Sequence, residues 1–408
     1  MSEITGRRGT NMSLGTAPPK SEVDLFTDEA LLEPYDLHRE LREVGSVVHL
    51  RKHNVYAITR YETLREVSLN WEVFSSAQGV GLNDGFNEMT AGTLISSDPP
   101  DHRLMRKVLQ RPLLPNRLQG IEPFLRQEGA RIVDQLIARP TFDAATDLAR
   151  HLPLTVVSKL VGLGNYGQDQ MLDWAAAGFD ALGPMNQRTA AALGKAQEMV
   201  EFAMTEARPG VIDPDGWAAA LFDAAHNGEL PADKCPFMII DYAAPSLDTT
   251  ILGTGSAVWL FAQHPDQWDL LREDPSLVRH AINEVLRCES PIQCFTRLLT
   301  RDHVLDGFSL PAGARVMLLY GSANRDERKY PRPHVFDITR KPSDHVAFGT
   351  GEHACAGMNL ARLEIKTLLD LLIPRVSRFE VLSSERLVNN LLRGFSKLEV
   401  RVEVEGVR

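Results

Sequence analysis

Cysteine is scarce in this 408-residue chain: four residues, at positions 235, 288, 294 and 355, none in a paired metal-binding spacing. That excludes a disulfide framework, and a reducing cytoplasm is the expected home. Flavin and iron–sulfur cysteine signatures are missing too. No run approaches the ~18 apolar residues of a membrane-spanning helix. Arg7-Arg8 is followed by no apolar stretch, so a twin-arginine export signal is not expected. Positive charge is outweighed, with 44 Lys and Arg against 54 Asp and Glu, a net charge of −10. That argues against nucleic-acid binding. The chain also lacks internal repeats, low-complexity tracts and any linker that would divide it into separate domains.

What is present is ordinary for a globular protein, 43% hydrophobic and 24% charged, and long enough to bury a sizeable core. Residues 1–20 are polar and rich in Ser, Thr, Gly and Pro and read as a flexible segment. Residues 21–408 read as one domain. Val47 to Arg51 and Val55 to Thr59 flank a short turn and predict a hairpin. From there to about 290 the pattern is mostly helical, with breaks at 79–92, 138–141, 162–167 and 207–215. Strand signals return at 303–305, 316–319 and 398–404. The fold class is therefore mainly α with a small β-rich region. The glycine-rich stretch 79–85 lacks the strand-then-helix context of a nucleotide loop and reads as a long surface loop, with a substrate lid as the functional alternative.

The chemistry concentrates in Phe348-Gly349-Thr350-Gly351-Glu352-His353-Ala354-Cys355-Ala356-Gly357. Glycines bracket one cysteine, and a helix opens immediately afterwards. Glycine permits positive φ and close approach to a flat ligand. A thiolate just ahead of a helix N-terminus is favoured by the dipole and by free N–H groups. Those are the needs of an axial sulfur ligand to haem iron. A buried structural cysteine in a glycine-rich turn is the plainer reading of the same residues.

Three other segments are ambiguous alone. Glu284 and Arg287 are one helical turn apart and could form a simple surface bridge. Asp98-Pro99-Pro100-Asp101 reads as a helix start that places His102 and Arg106 on one face, an ordinary basic helix face on its own terms. Asp248-Thr249-Thr250 lies in a helical stretch from about Cys235 to Phe261. Within that stretch Pro245 cannot donate to the carbonyl of Asp241 and must open or kink the helix.

Taken together these segments resemble the cytochrome P450 family. Phe348, Gly351, His353, Cys355 and Gly357 fit its F-x-x-G-x-H/R-x-C-x-G pattern, and Glu284 to Arg287 fits its E-x-x-R helix. Ala323-Asn324-Arg325-Asp326 also looks like this family. The resemblance implies a triangular helix-rich prism with haem b between the long central helix and the cysteine loop. It implies Cys355 as iron ligand, and Arg340 as third member of a buried network with Glu284 and Arg287. It assigns the haem to His102, Arg106, Arg297 and His345 together with Phe348, Gly349, His353 and Gly357. Asp248 and Thr249 become the acid–alcohol pair that manages protons during oxygen activation, with the role of Ser246 open. A small-residue pair is replaced here by Pro245-Ser246, which would hard-wire a helix distortion the family already has.

The resemblance is closest to bacterial members that oxidise small para-substituted aromatic acids. It runs through Asn54-Val55-Tyr56, Phe74-Ser75-Ser76, Gly79-Val80-Gly81-Leu82 and Gly321 to Asp326. An arginine that holds the substrate carboxylate in that subgroup is Gln78 here, and a second arginine and a serine are Ile240 and Asp241. The expected substrate is therefore a small neutral or phenolic aromatic, hydroxylated or O-demethylated with O2. Oxidation of a para-substituted benzoic acid is the alternative. A peroxide-driven peroxygenase and a non-enzymatic haem-thiolate protein are more distant ones. Expected pocket walls are Gln78, Leu82, Phe86, Ile95, Phe179, Leu182, Ala244, Pro245, Ile292, Phe295 and Phe395. Electrons are expected from a 2Fe–2S ferredoxin and an NAD(P)H-dependent reductase, docking near Arg103, Lys107, Arg111 and Arg362. A monomer with neither nucleic-acid nor membrane partner is expected.

Overall fold

A computed structural model describes residues 15–164 and 168–404. Helices dominate. The longest, Cys235–Gln263, spans 29 residues, about 44 Å at 1.5 Å per residue. Its buried residues occur all around its circumference, from Met238 and Leu247 to Ser256 and Phe261, as required of a helix crossing the centre of a large domain. Gln168–Ala181 and Gln187–Thr205 pack on one side of it, and Val278–Glu289 and Met358–Leu372 on the other. Pro236 starts the helix, where the missing N–H costs nothing. The helix carries Pro245 without a break in its backbone pattern, so the expected opening is confined to the carbonyl of Asp241, which lacks its usual donor.

The main sheet has six strands in the order Lys20–Ser21, Val47–Leu50, Val55–Ile58, Arg315–Leu319, Cys294–Leu299, Phe74–Ser75. The predicted hairpin pairs Val47 with Ile58 and Leu50 with Val55. Its second strand runs parallel to Arg315–Leu319, with Ala57 opposite Met317, and Phe295 sits opposite Leu318 on the next strand. A three-stranded sheet joins Val376–Arg386, Phe395–Val404 and Thr141–Asp143. Two large apolar clusters fill the interior, one around the central helix and one beneath the six-stranded sheet.

Two expectations change. The segment assigned as flexible, 1–20, lies outside the described residues up to 14. From Gly15 on it is tied down, since Thr16 exchanges backbone hydrogen bonds with Gly307 and Ser309 and Lys20 pairs with His49. The glycine-rich stretch 79–85 is not a surface loop, since residues 79–81 and 83 are buried, and a helix interrupts the break expected over 79–92. Asn83 caps a short helix, Asp84–Met89, by accepting from the Phe86 amide, and Phe86 and Asn87 are buried. Among the described residues no helix is long and apolar enough to cross a membrane.

Candidate functional site

The cysteine loop is shaped by its glycines. Gly349 and Gly351 take φ of +66° and +75°, and a Cβ on Gly351 would run into the carbonyl of Ser68. The Cys355 amide donates to the Phe348 carbonyl at 2.8 Å and closes the loop. Helix Met358–Leu372 begins just beyond. Burial pushes the Cys355 thiol up, while the amides of Gly357 and Met358 and the charges of Arg106 and Arg362 act to favour the thiolate. A half-buried sulfur served by anion-stabilising donors is suited to bind a metal centre.

Cys355 faces a cavity of ≈ 1590 Å³, open mouth included. One wall is the cysteine loop and its helix, with Phe348, Gly357, Leu360 and Ala361. The opposite wall is the central helix, with Asp241, Pro245, Ser246 and Thr249. Four basic side chains, His102, Arg106, Arg297 and His353, also line it. His102 and His353 lie 4.4 Å apart, ring to ring. Both ring nitrogens of His102 and Nε2 of His353 are buried without a hydrogen-bond partner. Burial, then neighbouring arginines, pushes the two imidazoles down, to about 4 and about 2. Arg106 donates to the Ala354 carbonyl at 2.6 Å and Arg297 to the Thr296 carbonyl at 2.7 Å. Buried polar groups are rarely left unpaired. An array of unmatched donors beside an anionic sulfur site calls for a ligand bearing carboxylates. A haem, with its iron at the sulfur and its propionates at this array, fits these residues. Gly357 adds to the fit, since a Cβ there would meet nothing within 4 Å on the cavity wall.

His345 does not belong to that array. It is buried off the cavity, its Nε2 3.4 Å from Asn283 Oδ1 and its Nδ1 accepting from the Ala347 amide. Its imidazole is already matched, so the expectation that it holds the haem is corrected.

On the central helix the polar protons are turned inward. Thr249 Oγ1 donates to the Pro245 carbonyl at 2.6 Å, and Ser246 Oγ to the Tyr242 and Ala243 carbonyls at 2.5 and 3.0 Å. Thr249 thus lines the cavity as an acceptor. Asp248 lies off the cavity wall. Its Oδ2 is buried and unpartnered, and burial pushes the carboxyl up to about 8, with Arg150 acting against this and Asp180 adding to it. Asp241 does line the cavity, its Oδ2 accepting only from the Leu94 amide at 3.3 Å, and burial pushes it up to about 7.

Five expected pocket residues line the cavity: Ile95, Phe179, Pro245, Ile292 and Phe295. Six lie elsewhere. Gln78 is exposed. Leu82 donates its amide to the Leu182 carbonyl, and both pack outside the cavity. Phe86 is buried against Ala181 and Ala196. Ala244, one residue around the helix from Pro245, faces a separate small apolar space with Trp174 and Ile240. Phe395 lies beneath the Arg386 guanidinium, 4.0 Å away, and beside Trp259. The helix inside 79–92 is what draws Leu82 and Phe86 away. Val156, Val161, Trp217 and Glu364 line the cavity without having been expected. Glu364 was legible, since it is an acid within the apolar face formed by Leu360, Ile365, Leu368 and Leu372.

Behind the cysteine loop, Glu284 and Arg287 are fully buried and joined by two 2.8 Å bonds. Arg340 Nε adds 3.0 Å to Glu284, and Arg287 also donates to the carbonyls of Asn324 and Pro333. Val346, two residues before Phe348, is held by Asn324 Oδ1 at 2.8 Å.

Comparison with known proteins matches residues 248–404 to the cytochrome P450 family profile. Over 393 residues, 95% of each chain, the protein is 35% identical to cytochrome P450 CYP199A2 of Rhodopseudomonas palustris. It is 30% identical to linalool 8-monooxygenase of Pseudomonas putida, over 94% of this chain and 98% of that one. Among solved structures it resembles cytochrome P450 CYP109Q5 from Chondromyces apiculatus, with TM-score 0.77 and 28% identity, covering 94% of this chain and 99% of that one.

Proposed function

This chain belongs to the cytochrome P450 family and is a haem b monooxygenase, and we propose that its substrate is a small aromatic without a carboxylate, hydroxylated or O-demethylated in the cytoplasm. Once bound, haem supplies dioxygen reduction: one oxygen atom enters a substrate C–H bond and the other leaves as water, with two electrons and two protons consumed. Cys355 is the residue that would hold the iron, and His102, Arg106, Arg297 and His353 the propionates. Phe348, Gly349 and Gly357 form the floor. Thr249 orients a proton at its Oγ1, and Asp248, kept protonated near neutrality by burial, stores the next one. Asp248 lies off the cavity wall, so transfer needs a water or a rotation of its side chain. Electrons come from separate redox partners, for which a 2Fe–2S ferredoxin and its NAD(P)H-dependent reductase are proposed. Of the expected docking cations, Arg103 and Arg111 are paired with Glu352 and Glu229, and Arg362 is half-buried over Phe348 and donates to Asn283, which leaves the exposed Lys107 as the more available charge.

One observation carries the substrate reading. Every cationic side chain on the cavity wall belongs to the propionate array, and the remaining charged groups are the buried carboxyls Asp241 and Glu364. A benzoate in the space walled by Ile95, Phe179, Ile292 and Phe295 would have no charge-assisted donor and would meet an acid instead. A site lacking the partner for a buried polar group rejects that ligand strongly. The test is a spectral titration of the ferric holoprotein. Methoxyphenols should give a high-spin shift at lower concentration than 4-methoxybenzoate, and the reverse order overturns the reading.

A further inference from the structure

Resting on the small-aromatic reading above, we propose that Asp241 is a specificity-determining residue. Its carboxyl group accepts a hydrogen bond from an O–H or N–H that the substrate carries at the end opposite the oxidised group. The first support is what Asp241 lacks. Two carboxyl oxygens offer about four acceptor sites, and the protein fills one, with the Leu94 amide at 3.3 Å. The group faces the cavity rather than bulk solvent, so leaving the rest empty carries a desolvation cost that a donor on the ligand would remove. In either protonation state one oxygen stays an acceptor.

The second support is the chemistry of the surrounding wall. Tyr242 Oη gives its proton to the Leu109 carbonyl at 2.6 Å, Ser246 gives its own to the Tyr242 carbonyl, and Thr249 to the Pro245 carbonyl. All three residues line the cavity, and none has a hydroxyl proton left for a ligand. At these three positions the central helix therefore presents acceptors, which a donor on the ligand would match.

The third support is length. Asp241, Pro245 and Thr249 recur every four residues on the cavity side of the helix. Asp241 and Thr249 are then about 12 Å apart along the axis. A hydrogen bond of ~2.8 Å at one end and a van der Waals contact of ~3.5–4.0 Å at the other leave about 5.5 Å. That is the reach of one benzene ring with a substituent at each end. The substrate class is thus a para-disposed aromatic, donor at one end and oxidised group at the other.

The experiment compares 4-methoxyphenol with 1,4-dimethoxybenzene, which has the same length and no donor, in ferric holoenzyme titrations. Wild type should bind the phenol at least about tenfold more tightly. Asp241→Leu should weaken the phenol, leave the diether unchanged and bring the ratio to about twofold or less, while Asp241→Asn retains most of it through its carbonyl oxygen. Equal affinities in wild type, or an unchanged ratio in Asp241→Leu, overturn the assignment alone. Failure of every small aromatic to bind wild type overturns the underlying substrate reading as well. Should Asp241→Leu fail to take up haem, the wild-type ratio and the Asn variant decide, because a purely structural role for Asp241 would not separate the two ligands.

Discussion

Ser246 stands beside the oxygen-handling end of the cavity, yet its hydroxyl is committed to two carbonyls of its own helix. Back-bonding of this kind leaves Ser246 without a proton to pass on. Ser246→Ala is therefore expected to keep turnover and the ratio of product to NAD(P)H consumed within about twofold of wild type, well short of the ~10²–10⁴-fold that general acid assistance commands. A tenfold fall in coupling, measured by product and peroxide yields, would give Ser246 a place in proton delivery after all. Thr249 makes a similar bond at 2.6 Å and both residues line the cavity, but Thr249 directly follows Asp248, whose carboxyl burial pushes up to about 8. The difference between the two hydroxyls lies in what neighbours them, which their identity as Ser or Thr does not reveal.

At the scale of elements, the Glu284–Arg287–Arg340 network joins the Val278–Glu289 helix to the segment leading into the cysteine loop. Its components have no exposure to solvent at Glu284 and Arg287, so removal of one partner strands a buried charge at a cost of about 3–5 kcal/mol. Glu284→Ala should yield protein that retains little haem and unfolds at lower denaturant, read by the haem-to-protein absorbance ratio and a urea midpoint. Full haem retention with an unchanged midpoint would show the network to be dispensable. Elements of this kind were legible in the sequence, because Glu284 and Arg287 sit one turn apart and the helix starts at Asp101 and Cys235 carry local signals. The strands Cys294–Leu299 and Val376–Arg386 were not. Each depends on distant partners, Arg315–Leu319 and Phe395–Val404, and local pattern says little about such pairing. The corner at 182–186 was illegible for the same reason. Asn390 closes it from two hundred residues away, through Asp180, Thr189 and Asn186. That closure also fixes why Leu82 and Leu182 pair with each other instead of facing a ligand.

For the whole molecule, buried titratable groups set opposing pH dependences. Burial pushes Asp180, Asp241 and Asp248 up to about 6, 7 and 8 from an ordinary 3.8. Between 3.8 and those values the native state holds protons that the unfolded chain has lost, so their contribution falls as pH rises. Burial also pushes His38 and His345 down to about 3 from 6.5. Across that range the unfolded chain binds protons that the native state refuses, so the contribution of these two rises with pH and is complete at 6.5. Below 6.5 the two trends offset one another. From 6.5 to 8 the histidines are silent and the raised carboxyls remain, Asp241 and Asp248 together with Glu364, which burial also pushes well up, each removing at most about 1.4 kcal/mol per pH unit while its native proton is held. The melting temperature of the holoprotein should therefore fall by a few degrees between pH 6.5 and 8. Asp248→Asn, which carries no proton to lose, should flatten the upper range of that decline and raise stability at pH 8. A melting temperature that climbs over this interval, or a decline equally steep in Asp248→Asn, would mean that the carboxyl behind Thr249 is ionised in the native protein and that its proton is not held there between turnovers.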